Sequence, residues 1–195
     1  MNLAFFASHQ GSNMQAVIDA CKSGVLPARP CAVISNNRDS EALARAARER
    51  IPAYHLSAKT HPDPEALDLA ILQAVQKRQA ELIILAGFMR KLGPHLLAAY
   101  HNRILNIHPS LLPKYRGLDT HARAIAAGDA EAGCSVHEVT AELDGGPILG
   151  QARVPILPGD TPESLAARVL PMEQRLYPAV LRRYAMGDRR PVLLP

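Results

Sequence analysis

Asn106 and His108 are the residues best placed by type and spacing to do chemistry. They stand two apart in Ile104-Leu105-Asn106-Ile107-His108-Pro109-Ser110-Leu111-Leu112-Pro113. In an extended strand, side chains two apart share a face, so Asn106 and His108 converge on one spot while Ile107 points into the core. Pro109 biases His108 toward extended geometry and sets it at a strand's end. An asparagine amide can donate to a developing oxyanion and a histidine can carry a proton. A carboxylate to orient the charged imidazole is offered by the turn Asp144-Gly145-Gly146-Pro147, which cannot sit inside a helix. A lone histidine is more often packed or solvated than catalytic. The amide on the same face and the separate acidic turn raise His108 above that, provided that Asp144 reaches it.

Two other loops have residues suited to ligands. In Ser8-His9-Gln10-Gly11-Ser12-Asn13, Gly11 permits a close backbone approach, Ser12 and Asn13 add donors, and the following helix start attracts anions. The loop matches neither GxGxxG nor the P-loop pattern, so dinucleotide binding has no support, and the plainer reading is that Ser12 merely caps the helix. Gly87-Phe88-Met89-Arg90-Lys91-Leu92 sets an aromatic ring, a thioether and two cations beside exposed backbone, an environment for a flat heteroaromatic ligand with an acidic tail. The competing reading makes Phe88 and Met89 core and leaves the cations solvated. There is no HExxH, no zinc-type Cys/His spacing and no GxSxG elbow, so neither a metal site nor a nucleophilic Ser110 is expected. His101, His121 and His137 read as structural or surface histidines.

The elements that must hold these residues alternate between strands and helices. Residues 3–7 form an apolar run, and Met14, Val17, Ile18 and Cys21 then fall at the spacing of a buried helical stripe. Residues 31–34 and 53–56 read as strands around a helix through Leu43, Ala46 and Ala47, which turn chemistry at residues 36–40 caps. A helix runs from the His61-Pro62-Asp63-Pro64 turn to about Arg78. Residues 82–86 are uniformly apolar, as in a central parallel strand covered on both faces, and Gly87 ends them. Residues 94–100 form a short helix, 103–108 a strand, 109–119 a loop, 120–127 a helix, and 135–139 and 148–154 two late strands. Thr161-Pro162-Glu163 opens a closing helix with Leu165, Val169, Met172, Leu176 and Val180 as its buried face, and Pro171 and Pro178 are expected to kink or divide it. This alternation predicts an open, mostly parallel, Rossmann-like α/β sheet with helices on both faces and a long C-terminal helix. In such sheets ligands collect at the carboxyl ends of the strands, where the three loops lie.

Composition bounds the function. A chain of 195 residues with 48% hydrophobic residues fits a single globular domain, residues 1–195. Its 22 basic residues against 18 acidic ones are scattered, so a nucleic-acid partner is not expected. Three cysteines, Cys21, Cys31 and Cys134, lack a CxxC pair and leave one over, which points to free thiols in the cytoplasm. No apolar run approaches the ~20 residues of a membrane span, and the start reads as a core strand rather than a secretion signal.

Taken together these segments resemble the folate-dependent formyltransferases, in particular the glycinamide ribonucleotide branch. The matching stretches are Gly11-Ser12-Asn13-Met14-Gln15, Leu85-Ala86-Gly87-Phe88-Met89-Arg90, Leu105 to Pro113, Ser135-Val136-His137, Glu142-Leu143-Asp144-Gly145-Gly146-Pro147, and Glu173 before Tyr177-Pro178. The resemblance implies transfer of formyl from 10-formyltetrahydrofolate, a co-substrate, to the primary amine of glycinamide ribonucleotide in purine synthesis, with no metal. It implies Asn106, His108 and Asp144 as catalytic residues. Gly11, Ser12 and Asn13 would hold the substrate phosphate, with Pro109 and Glu173 also on the ribonucleotide. Gly87, Met89, Arg90, Lys91, Leu92, Asn106, Thr140, Leu143 and Asp144 would line the pterin site. The N-terminal half would thus form the ribonucleotide side, and residues 85–150 the folate and catalytic side. Small molecules are the expected partners of a monomer or homodimer.

The chain departs from the family pattern at His9, where glycine is usual, at Pro64, in place of an arginine associated with the folate, at Asp119, where histidine is common, and at Arg116, in place of a proline. Pro171 stands close to Glu173. Methionyl-tRNA formyltransferase shares the Ser110-Leu111-Leu112-Pro113 and Asp144-Gly145 segments, but its usual basic C-terminal domain finds no room before Pro195. A formyltetrahydrofolate hydrolase is a further option, but its usual extra N-terminal regulatory domain finds no room before the first strand at Leu3, and a non-catalytic folate or nucleotide sensor on the same fold would bind without turnover.

Overall fold

The computed structural model describes residues 1–195. Eight strands and six helices follow one another as β1 (Asn2–Phe6), α1 (Ser12–Lys22), β2 (Arg29–Ser35), α2 (Glu41–Arg48), β3 (Ala53–His55), α3 (Pro64–Lys77), β4 (Leu82–Leu85), α4 (Pro94–Ala99), β5 (Ile104–His108), α5 (Thr120–Ala126), β6 (Glu131–Glu138), β7 (Ile148–Pro155), α6 (Pro162–Ala185) and β8 (Val192–Leu194). The strands are ordered β3-β2-β1-β4-β5-β6-β7-β8 in a mostly parallel sheet. By internal contacts the chain forms two compact units, Met1–Leu105 and Asn106–Pro195, with the division inside β5.

In the first unit, β2 pairs in parallel with β1 and β3, and β1 with β4. Leu3, Ala4, Phe5, Phe6, Ile83 and Ile84 are fully buried, which is why β1 and β4 read as continuous apolar runs rather than alternating ones. Met14, Val17 and Ile18 bury the stripe of α1. Side-chain caps start two helices: Ser40 accepts from the Leu43 N–H and Asp63 from the Ala66 N–H. The buried Asp68 of α3 accepts the His95 N–H at 2.7 Å and the Leu96 N–H at 3.2 Å, satisfying the first turn of α4 from a neighbouring element.

In the second unit, β6 and β7 form an antiparallel hairpin and β8 joins β7 in parallel. The sequence reading places strands at 135–139 and 148–154; β6 starts four residues earlier than that, and the three-residue β8 carries no sequence signal of its own. Thr161 caps α6 through a reciprocal box with Ser164. The expected break in α6 does not occur, for the helix runs unbroken over 24 residues through Pro171 and Pro178. An interior proline costs about 3 kcal/mol, whereas burying one large apolar side chain contributes about 1.5–3 kcal/mol. Leu165, Val169, Met172, Leu176, Tyr177, Val180 and Leu181 are all buried, enough to offset both prolines.

Candidate active site

Within the second unit, Asn106, His108, His137 and Asp144 form one hydrogen-bonded and ionic array. His108 closes β5 and is 6% exposed. Its Nε2 lies 2.9 Å from the Tyr115 carbonyl, which only accepts, so Nε2 carries a proton. Its Nδ1 stands 3.5 Å from Asp144 Oδ2. Both ring nitrogens therefore face acceptors, an arrangement fully satisfied when the ring is the doubly protonated cation. Asp144 adopts φ +49°, a left-handed conformation that aspartate tolerates better than most residues, and its carboxylate is largely buried.

Asp144 and the loop after His108 hold each other. The Gly117 N–H donates to Asp144 Oδ2 at 2.9 Å, and the Arg116 guanidinium bonds the Glu142 carboxylate. Further along the same loop, the Ser135 hydroxyl accepts the Leu112 N–H at 3.0 Å and donates to the Ser110 carbonyl at 2.7 Å. The Gln151 amide donates to the Leu112 carbonyl and to Ser135 Oγ, both at 2.9 Å. The Ser110 hydroxyl donates to the Lys114 carbonyl, so it fastens the loop and is not a nucleophile. Residues 109–117 are thus pinned to β6, β7 and the Asp144 turn, and the Tyr115 carbonyl is fixed against His108.

His137, expected to be a structural or surface histidine, is a buried one, and its contacts reach the site. It is 2% exposed on β6, with Nε2 3.1 Å from Asn106 Nδ2 and Nδ1 2.9 Å from the Glu138 carbonyl. Burial lowers its pKa, against the Glu138 carbonyl and the Asp144 charge, which favour the cation. The neutral ring accepts from the asparagine amide. Asp144 Oδ1, at 3.6 Å from Nε2, lies beyond hydrogen-bond reach. A histidine on an apolar strand carries no sequence signal for this role; its position one strand away from Asn106 is a tertiary fact.

In the first unit the two other loops meet through Ser8. Its amide donates to the Gly87 carbonyl at 3.0 Å, its hydroxyl donates to Asn36 Oδ1 at 2.5 Å, and its Oγ accepts the Met89 N–H at 2.8 Å. Gly11 occupies the N-cap of α1 at φ +66°, and a Cβ there would come within 3.0 Å of Ala42 Cβ, so both conformation and space require glycine. Ser12 is the first helical residue and provides no cap, which removes the plainer account of that loop. Gly87 turns at φ +74°. Phe88 packs edge-on against Phe6 with centroids 5.3 Å apart, whereas Met89 is 56% exposed and Arg90 and Lys91 are exposed. The ligand-like and core-like readings of this loop therefore each hold for part of it.

The formyl transferase family profile matches residues 1–181 of the chain. The chain belongs to the formyl transferase family. This formyl transferase is 44% identical over 187 residues to the phosphoribosylglycinamide formyltransferase of Escherichia coli, covering 96% of this chain and 88% of that one. It is 45% identical to the enzyme of the same name from Haemophilus influenzae, covering 96% and 89%. Among solved structures, the glycinamide ribonucleotide transformylase 1 of Symbiobacterium toebii superposes with a TM-score of 0.93 at 42% identity, covering 97% of this chain and 92% of that one.

The other expected positions in the formyl transferase divide by unit. Thr140 and Leu143 are exposed on the Asp144 loop, Leu143 at 63%, and Pro109 is half-buried. Glu173 is buried on α6 near Cys134, whose thiol pKa burial raises, with the Glu173 charge adding to the rise. Pro64 is the first residue of α3, where a missing N–H is tolerated, so that departure from the family pattern suits the helix start. His9 is exposed, and Asp119 holds φ +56° at the start of α5.

Proposed function

We propose that the chain transfers a formyl group from 10-formyltetrahydrofolate to the primary amine of glycinamide ribonucleotide in purine synthesis. The observation that carries the catalytic part of this reading is the Asn106, His108, Asp144 array, in which an amide donor, an imidazole and a carboxylate meet in one place. The amine nitrogen attacks the formyl carbon and a tetrahedral oxyanion forms. Asn106 and the His108 cation face that oxyanion, and Asp144 stabilises the cation. As the intermediate collapses, the bond from carbon to the folate N10 breaks. The proton lost by the amine reaches N10, with Asp144 and water relaying it.

The binding residues are assigned by their match to the family. Gly11, Ser12 and Asn13 hold the ribonucleotide phosphate, an assignment supported by the glycine cap of α1, which leaves the helix start open to an anion. Pro109 and Glu173 contact the rest of the ribonucleotide. Gly87, Met89, Arg90, Lys91 and Leu92, together with Asn106, Thr140, Leu143 and Asp144, take the formyl folate. The exposed Leu143 side chain, on the same loop as Asp144, suits such a flat, largely apolar group. We place the reaction in the cytoplasm, where three free cysteines stay reduced.

The deciding experiment is a transfer assay with 10-formyltetrahydrofolate and three acceptors: glycinamide ribonucleotide, initiator methionyl-tRNA and water. Turnover that depends on the ribonucleotide is expected. Turnover with water alone would make the chain a hydrolase, and binding without turnover would make it a sensor.

A further inference from the structure

The mechanism uses Asn106, His108 and Asp144 and gives His137 no part, although His137 is the most enclosed of the four side chains and is engaged at both ring nitrogens. Two separate contacts fix its state. The Glu138 carbonyl, 2.9 Å from Nδ1, accepts only, so the proton sits on Nδ1. Nε2 then presents a lone pair 3.1 Å from Asn106 Nδ2. Were the Asn106 amide turned over, its carbonyl oxygen would face that lone pair at the same distance and be repelled. One orientation of the amide remains.

An asparagine amide has nearly the same shape in either orientation, so sterics alone do not choose between presenting N–H and presenting oxygen. We propose that His137 is the positioning residue of Asn106: as the Nδ1–H tautomer it holds one amide N–H and thereby turns the other toward the oxyanion. The held amide N–H of Asn106 donates to His137 Nε2, and His137 Nδ1–H donates in turn to the Glu138 carbonyl. Burial of His137 serves this, since it disfavours the cation, which has no acceptor to offer the amide. The proposal rests on Asn106 being an oxyanion donor.

Two near-isosteric replacements separate this role from simple packing. Glutamine at 137 reaches the Nε2 position with a carbonyl oxygen that accepts from Asn106, whereas asparagine reaches only the Nδ1 position. His137→Asn is expected to lower kcat about ten- to hundredfold with KM little changed, less than the 10² to 10³ expected for removing the donor itself. His137→Gln is expected to stay within about threefold of the parent enzyme, well under that 10² cost of a lost donor. In an Asn106→Ala background, His137→Asn should cost almost nothing further, because the group it positions is gone. A glutamine variant no better than the asparagine variant overturns the proposal, as does an equal loss with and without Asn106. If His137→Asn does not fold, the glutamine variant still decides by its kcat. If Asn106→Ala alone turns over normally, the reading of Asn106 falls and this inference with it; if Asn106→Ala is slow and the cycle is additive, only this inference falls.

Discussion

Asp144 Oδ2 stands 3.5 Å from His108 Nδ1 and also accepts the Gly117 N–H at 2.9 Å. One oxygen thus serves the imidazole and the loop that follows it. Asp144→Asn keeps an acceptor for Gly117 and removes the charge. It should lower kcat by roughly 10² to 10⁴, the range for a lost general acid or base, while thermal melting moves little. His108→Ala should be slowed comparably, and the double variant should be little worse than either single one, because the two act as a unit. Steady-state kinetics on the three variants check this, and near-normal kcat in both single variants would remove them from the mechanism.

Gly117 itself holds φ +81°, and a Cβ there would meet nothing nearer than Leu143 Cδ2 at 4.0 Å. Alanine at 117 is therefore a test of backbone strain and not of crowding. Gly159, between β7 and α6, has the same φ and open space around it, which makes it a matched control. Each Gly→Ala change should cost about 1–2 kcal/mol of stability, the penalty of a left-handed non-glycine residue. Only Gly117→Ala should also lower kcat, since only there does the displaced N–H anchor Asp144. Equal turnover in the two variants would show that the Gly117 contact is irrelevant to catalysis.

Ser12 and Ser40 look alike in sequence, each at a helix start, and differ in structure. Ser40 accepts the Leu43 N–H at 3.4 Å, whereas Gly11 takes the cap position before Ser12. Ser40→Ala should cost about 1 kcal/mol of stability. Ser12→Ala should leave stability unchanged and raise KM for the ribonucleotide, a split measurable by denaturant melts alongside substrate titrations. A destabilised Ser12→Ala with unchanged KM would return Ser12 to a structural role.

What the chain reveals before folding follows the range of the forces involved. Period and composition mark β1, β4 and the stripe of α1 because burial acts on each segment by itself. Asn106 and His108 are legible as a pair because their separation is two residues along one strand. Asp144 is legible only as an acidic turn, and its contact with His108 belongs to the tertiary structure. His137 and Ser8 give no local signal for the same reason: their partners, Asn106 at 31 residues and Met89 at 81, are remote in sequence. The continuity of α6 is hidden because proline's local penalty is visible in sequence while the packing that offsets it is not. Ser12 reads as a possible cap because a serine and a positive-φ glycine side by side compete for one position, and only the backbone angle decides.

Two histidines, the buried His137 and the half-buried His121, give stability a definite dependence on pH. Burial holds the pKa of His137 below its ordinary 6.5, with Glu138 and Asp144 opposing the shift. His121 is shifted the same way, first by burial and then by the charge of His108. In the unfolded chain both regain values near 6.5, so below that pH the unfolded state binds more protons than the folded one. The stability contributed by these neutral rings is complete above about pH 6.5 and is lost as pH falls through and below it. Urea midpoints at pH 7.5, 6.5 and 5.5 should drop toward the acid side. His137→Gln removes one titrating group and should make the drop shallower, while Asp144→Asn, by removing a charge that favours the His137 cation, should make it steeper. Identical midpoint shifts in all three proteins would show that His137 carries none of the acid sensitivity.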